Sequence, residues 1–121
     1  MYGPDWPVFR SIAWVRDLGR CIVCRHRVEE RHHRVIQGKG GRAYDEDRHR
    51  PDGVLSFCRK HHEQVHLHRD LSRDLGYILE PGSVATEVAV WYPTEFSWMM
   101  LTEGGTRLAY PNWRAPELQI V

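Results

Sequence analysis

At 121 residues, with 41% hydrophobic and 27% charged positions, the chain has room for one modest core and is composed like a folded protein. It contains no run of about 18 apolar residues such as a membrane span needs, and residues 1–7 lack the basic segment and apolar stretch of a secretory signal, so a cytoplasmic protein without a membrane partner is expected. The net charge of +1 hides a gradient: eleven Lys or Arg face six Asp or Glu over residues 20–61, whereas four face eight over 62–121.

The predicted elements run as follows. Val8, Ile12, Val15 and Leu18 recur at helical spacing, which predicts a helix over 8–18 with that face packed inward and Gly19 at its end. Cys21-Ile22-Val23-Cys24 is a tight two-thiol turn, and residues 31–36 read as a short strand. A Gly-rich stretch over 37–42 and a charged one over 45–52 make a loop, followed by a second strand over 53–57. From Arg59 to Leu71 the pattern is helical, with His62, Val65, His66 and Arg69 at three- and four-residue intervals. Beyond Pro81-Gly82 the aromatic and β-branched residues predict strands, with a hairpin turn at 102–106 between 98–101 and 107–110. The expected class is therefore α+β in one domain: an N-terminal helix (1–20), a metal-bound hairpin and helix (21–70) and a small β-rich extension (71–121).

Metal ligands dominate the middle of the chain. All eight histidines fall between His26 and His68, and the three cysteines, an odd number, argue against a disulfide framework. Cys21-x2-Cys24 and Cys58-x2-His61 each pair two ligands at zinc-knuckle spacing, which predicts a closed, structural Zn²⁺ site of three thiolates and one imidazole. His26 is the alternative fourth ligand, but that choice leaves Cys58-x2-His61 without a purpose. Adjacent His32 and His33 on a strand point to opposite sides, while His62 and His66 share a helix face. That layout suits imidazoles on one ion with a free imidazole nearby as a base. Glu29 and Glu30 are expected to orient a histidine or cap local structure.

The stretch from Cys21 to His66, with Glu30-Arg31-His32-His33-Arg34, Gly40-Gly41 and Leu55-Ser56-Phe57-Cys58-Arg59-Lys60-His61-His62, resembles the HNH nucleases, the ββα-metal endonucleases. The short length and the tail after Gly76-Tyr77-Ile78 look like the small stand-alone HNH proteins of actinobacterial phages. The resemblance implies a ββα-metal core that hydrolyses phosphodiester bonds of double-stranded DNA with one divalent ion (Mg²⁺, Mn²⁺, Ni²⁺, Co²⁺ or Zn²⁺). It makes His33 the general base, His32 and His62 ligands of that ion, and His66 a third ligand or phosphate contact. No nucleotide cofactor is implied, and a host-cytoplasm setting beside a phage terminase or packaging machinery is the corresponding context. Gly53 stands nine positions before His62, where the family usually has Asn, and Asp52 or His49 are the residues near enough to take its place.

Arg34, Lys39, Arg42, Arg48 and Arg50 lie in or beside the loop between the two strands and are expected to contact the DNA backbone. The alternative reading is a zinc-stapled DNA-binding module with weak or no catalysis.

Overall fold

The structure, a computed structural model, describes residues 5–36, 49–110 and 114–121. Helix α1 (Trp6–Arg16) leads through the Cys21–Cys24 turn to strand β1 (Glu30–His33). After a short 3-10 turn at Pro51–Gly53 come β2 (Val54–Phe57), α2 (Arg59–Leu67) and α3 (Arg69–Asp74). Strands β3 (Val90–Tyr92), β4 (Ser97–Leu101) and β5 (Arg107–Ala109) follow. The mixed α+β class matches the sequence, as does the hairpin between β4 and β5. The helix expected over 59–71 is two helices, because His68 leaves helical backbone at φ −121°, ψ 65°. Among the described residues no helix is long and apolar enough to cross a membrane.

Among the described residues the strands form two antiparallel sheets: β1–β2, and β3–β4–β5 in that order. In the first, His32 pairs with Leu55 and His33 with Val54. Cross-strand partners share a face and consecutive residues alternate, so Glu30, His32, Leu55 and Phe57 face one way and Arg31, His33, Val54 and Ser56 the other. Helix α2 packs on the hairpin and α1 packs on β2. The ring contacts assign the faces: His32 lies against His62 of α2, and His33 against Trp6 of α1. With cover on both sides, all four β2 residues are buried.

One apolar cluster ties these elements together. Cys21, Ile22, Leu55, Phe57, Cys58 and Val65 from the first half meet Leu75, Tyr77, Ile78, Trp91, Leu101 and Ile120 from the second. The β-rich extension thus shares the core of the hairpin.

Helix α1 does not pack as its periodicity predicts. Val8, Val15 and Leu18 are 57%, 65% and 66% exposed, while Ala13 and Arg16 are buried. The reason is polar. The Arg16 guanidinium binds both oxygens of Asp17 (2.9 and 2.8 Å) and donates to the carbonyls of Pro51 and Val54, and the Tyr92 hydroxyl donates to Asp17 at 2.6 Å. Satisfying a buried charged network outweighs covering three modest apolar side chains.

Gly76 closes α3 at φ +81°, and a Cβ there would collide with the Ala89 carbonyl oxygen. Only glycine accepts both the backbone and the approach. The turn delivers Tyr77 to the side of His32.

Candidate metal centres

The first cluster is built at the Cys21–Cys24 turn. Arg20 and Arg27 form a bridge that narrows the loop, Arg25 takes φ +67°, and the Val23 N–H points at Cys21 Sγ at 3.4 Å. Cys58 and His61 come from the start of α2, whose first N–H, on Arg59, is capped by the Glu29 carboxylate at 3.0 Å. That contact is the leading cause holding Glu29 below the usual carboxylate range.

The ligand atoms of Cys21, Cys24, Cys58 and His61 all lie within 4.8 Å of one another. A tetrahedron of 2.3 Å Zn–S bonds has edges of about 3.8 Å. The Cys24–Cys58 sulfur separation is 3.8 Å, as is the distance from Cys21 Sγ to His61 Nδ1. A third contact, Cys58 Sγ to His61 Nδ1, is 3.1 Å. Without a cation, burial pushes the Cys21 thiol up to about 12, with Cys58 adding charge repulsion. A bound cation reverses that balance and holds the sulfurs as thiolates. Four donors of this kind are compatible with a closed, structural metal such as zinc. His26 is absent from the cluster.

The second cluster is His32, His62 and His66, again within 4.8 Å. His62 Nε2 is 3.2 Å from His32 Nδ1 and 3.1 Å from His66 Nε2. Each of the first two rings is anchored by its far nitrogen. His32 Nε2–H donates to the Tyr77 carbonyl at 2.6 Å, and His62 Nδ1–H donates to Glu30 Oε1 at 2.7 Å. Both acceptors lack protons to give, so these contacts fix the tautomers and turn the lone pairs of His32 Nδ1 and His62 Nε2 toward each other. Lone pairs converging at about 3 Å call for a cation between them, a proton or a metal ion. Burial, then repulsion from His62 and its neighbours, lowers His32 to about 3, and burial followed by His62 and Arg69 lowers His66. Those shifts disfavour a proton on His32 or His66. His32 is buried, His62 half-buried and His66 exposed, so the cluster opens to solvent on the His66 side.

His33 lies on the opposite face of β1. Its Nε2 is 2.9 Å from Nδ1 of His49, and Trp6 packs against both rings, with centroids 5.0 and 5.6 Å away.

The expected DNA contacts fare differently. Arg34 is fully buried and donates to the carbonyls of Gly76, Asp52, Ala85 and Val88 at 2.8–3.0 Å, so it is a structural brace and not a phosphate contact. Arg50 is partly exposed and pairs with Glu103 and Asp52. Lys39, Arg42 and Arg48 lie outside the described residues. Sequence reasoning missed Arg31, which shares the face of His33 and is held below its usual range by burial and then by Arg10. The alternation that separates His32 from His33 also puts Arg31 beside His33, and that was the available signal.

No protein-family model, curated protein or solved structure matches the chain.

Proposed function

We propose that the protein is a metal-dependent DNA endonuclease of the HNH type, with a ββα-metal unit formed by β1, β2 and α2. One observation carries this reading: three imidazole nitrogens cluster together with His66 exposed, and two of the rings are anchored from behind by Tyr77 and Glu30. A folded domain gains nothing from aiming lone pairs at one another. A closed four-ligand clip beside an open three-ligand set matches the division between structural and catalytic metal sites.

His32, His62 and His66 would hold one divalent ion, with Glu30 orienting His62. Bound there, such an ion supplies Lewis-acid polarisation of a phosphodiester and charge neutralisation at its leaving oxygen. Consecutive positions on β1 send His32 and His33 to opposite faces, so DNA lying across the strand's end meets the trio from one side and His33 from the other. His33 takes a proton from water; the water oxygen bonds to phosphorus as the bond to the 3′ oxygen breaks, and that oxygen leaves with a proton from solvent. Arg31, among the described residues, has a buried Nε with no hydrogen-bond partner, and with Arg10 it offers positive charge on the His33 side.

The test uses supercoiled plasmid, metal-stripped protein and added Mg²⁺, Mn²⁺, Ni²⁺, Co²⁺ or Zn²⁺. Ion-dependent nicking or linearisation is expected, falling at least ~100-fold in His33→Ala, within the range general-base catalysis contributes. Binding of DNA with no cleavage under any ion overturns the enzyme reading and leaves a zinc-stapled binding module, which the absence of a side chain at Gly53 favours.

A further inference from the structure

Opposite the histidine trio, a second pair of imidazoles is assembled from distant parts of the chain. His33 is the last residue of β1, and His49 lies just ahead of the 3-10 turn Pro51–Gly53. That turn folds the chain back, with the Arg34 N–H on the Gly53 carbonyl at 2.9 Å, and so returns His49 to the strand end. The rings meet at 89° with centroids 4.8 Å apart, and the nitrogens are 2.9 Å apart. His49 is 1% exposed, and Trp6 closes against both rings. An edge-on contact at that distance has hydrogen-bond geometry.

We propose that His49 is a positioning residue for His33, holding its ring in one rotamer and one tautomer at the end of β1. The proposal rests on the nuclease reading for its consequence but not for its geometry. A hydrogen bond between two neutral imidazoles needs one N–H and one lone pair. Of the two neutral arrangements of this contact, the general-base role requires the one in which His33 Nε2–H donates to the lone pair of His49 Nδ1, so that His33 Nδ1 carries the lone pair that takes the proton from water. A general base works only with its lone pair aimed at the attacking water, so losing this contact lowers turnover without weakening DNA binding. Asn places an amide group near the position of imidazole Nδ1, which makes His49→Asn the conservative replacement and His49→Leu the disruptive one.

Three measurements on the full chain, loaded with zinc and Mn²⁺, test this. In His49→Leu, kcat is expected to fall ~10–100-fold, as orienting partners of functional histidines do, with KM unchanged. His49→Asn should recover most of that loss. Long-range ¹H–¹⁵N spectra of the metal-stripped but zinc-bound protein should show His33 as one tautomer in the parent and in His49→Asn, and as a mixture in His49→Leu. An unchanged kcat and tautomer in His49→Leu overturn the proposal, as does a His49→Asn protein as impaired as His49→Leu in both readouts. If His49→Leu fails to fold, the parent and His49→Asn spectra decide: a mixture of His33 tautomers in either rejects the positioning role. If the parent protein cleaves no DNA, the nuclease reading falls, and the tautomer spectra still decide the role of His49.

Discussion

At the scale of single residues, Arg34 shows how a charged side chain in a basic stretch comes to serve the fold. Its guanidinium satisfies four main-chain carbonyls, from Asp52 before β2, Gly76 after α3, and Ala85 and Val88 before β3. Burial pushes its pKa down to about 10, so it stays charged at neutral pH while bonded only to dipoles. Each acceptor left dry after truncation costs about 1–3 kcal/mol. Arg34→Met is therefore expected to lose about 4 kcal/mol or more in urea unfolding, with Arg34→Lys recovering little, because an ammonium cannot span four divergent acceptors. A phosphate contact would behave in the opposite way, leaving stability alone and reducing the salt dependence of DNA binding by about one unit of slope.

At the scale of elements, α1 separates what hydrophobic periodicity can say from what it cannot. Its existence follows from local sequence, although it runs over Trp6–Arg16 and not over 8–18. Its inward face does not, because Val8, Val15 and Leu18 stay in solvent while Ala13 and Arg16 go in. Nothing within residues 5–17 announces that Pro51, Val54 and Tyr92 will supply partners for Arg16 and Asp17. The ligand clusters were more legible, since Cys21-x2-Cys24, Cys58-x2-His61 and the four-residue spacing of His62 and His66 are local geometry written directly in the sequence. Local spacing also put His32 and His33 on opposite faces, but left unstated which face meets α2 and that Tyr77 and Glu30 anchor the rings. Substitution checks the observed face of α1: Ala13→Leu should overpack the site and cost ~1–3 kcal/mol, whereas Val15→Ser should change stability by less than about 0.5 kcal/mol in thermal unfolding. The face read from periodicity predicts the reverse order.

At the scale of the molecule, the two candidate metal sites differ in what their removal does. Cys21 and Cys58 belong to the same buried cluster as Phe57, Tyr77 and Trp91, so an ion held by Cys21, Cys24, Cys58 and His61 joins the turn, β2 and α2 to the shared core. The His32, His62 and His66 set is joined to the fold by its anchors, and one member is exposed. Chelation or Cys58→Ser is accordingly expected to lower Tm by more than about 10 °C, whereas His66→Ala should move it by only a few degrees while abolishing tight binding of the second ion. The pH dependence carries an independent sign. In the metal-free protein the Cys21 thiol titrates near 12 instead of the ordinary 9.0, so the folded state holds a proton that the unfolded chain releases, and stability falls as pH rises from 9 toward 12. With zinc bound the thiolate is already the folded form, and protons compete with the ion, so stability is lost on acidification instead. Melting curves of loaded and stripped protein at pH 5, 7 and 10 separate these cases: the zinc-dependent gain in Tm should grow from acid to alkaline pH, and a gain independent of pH would mean that the three sulfurs do not hold the metal.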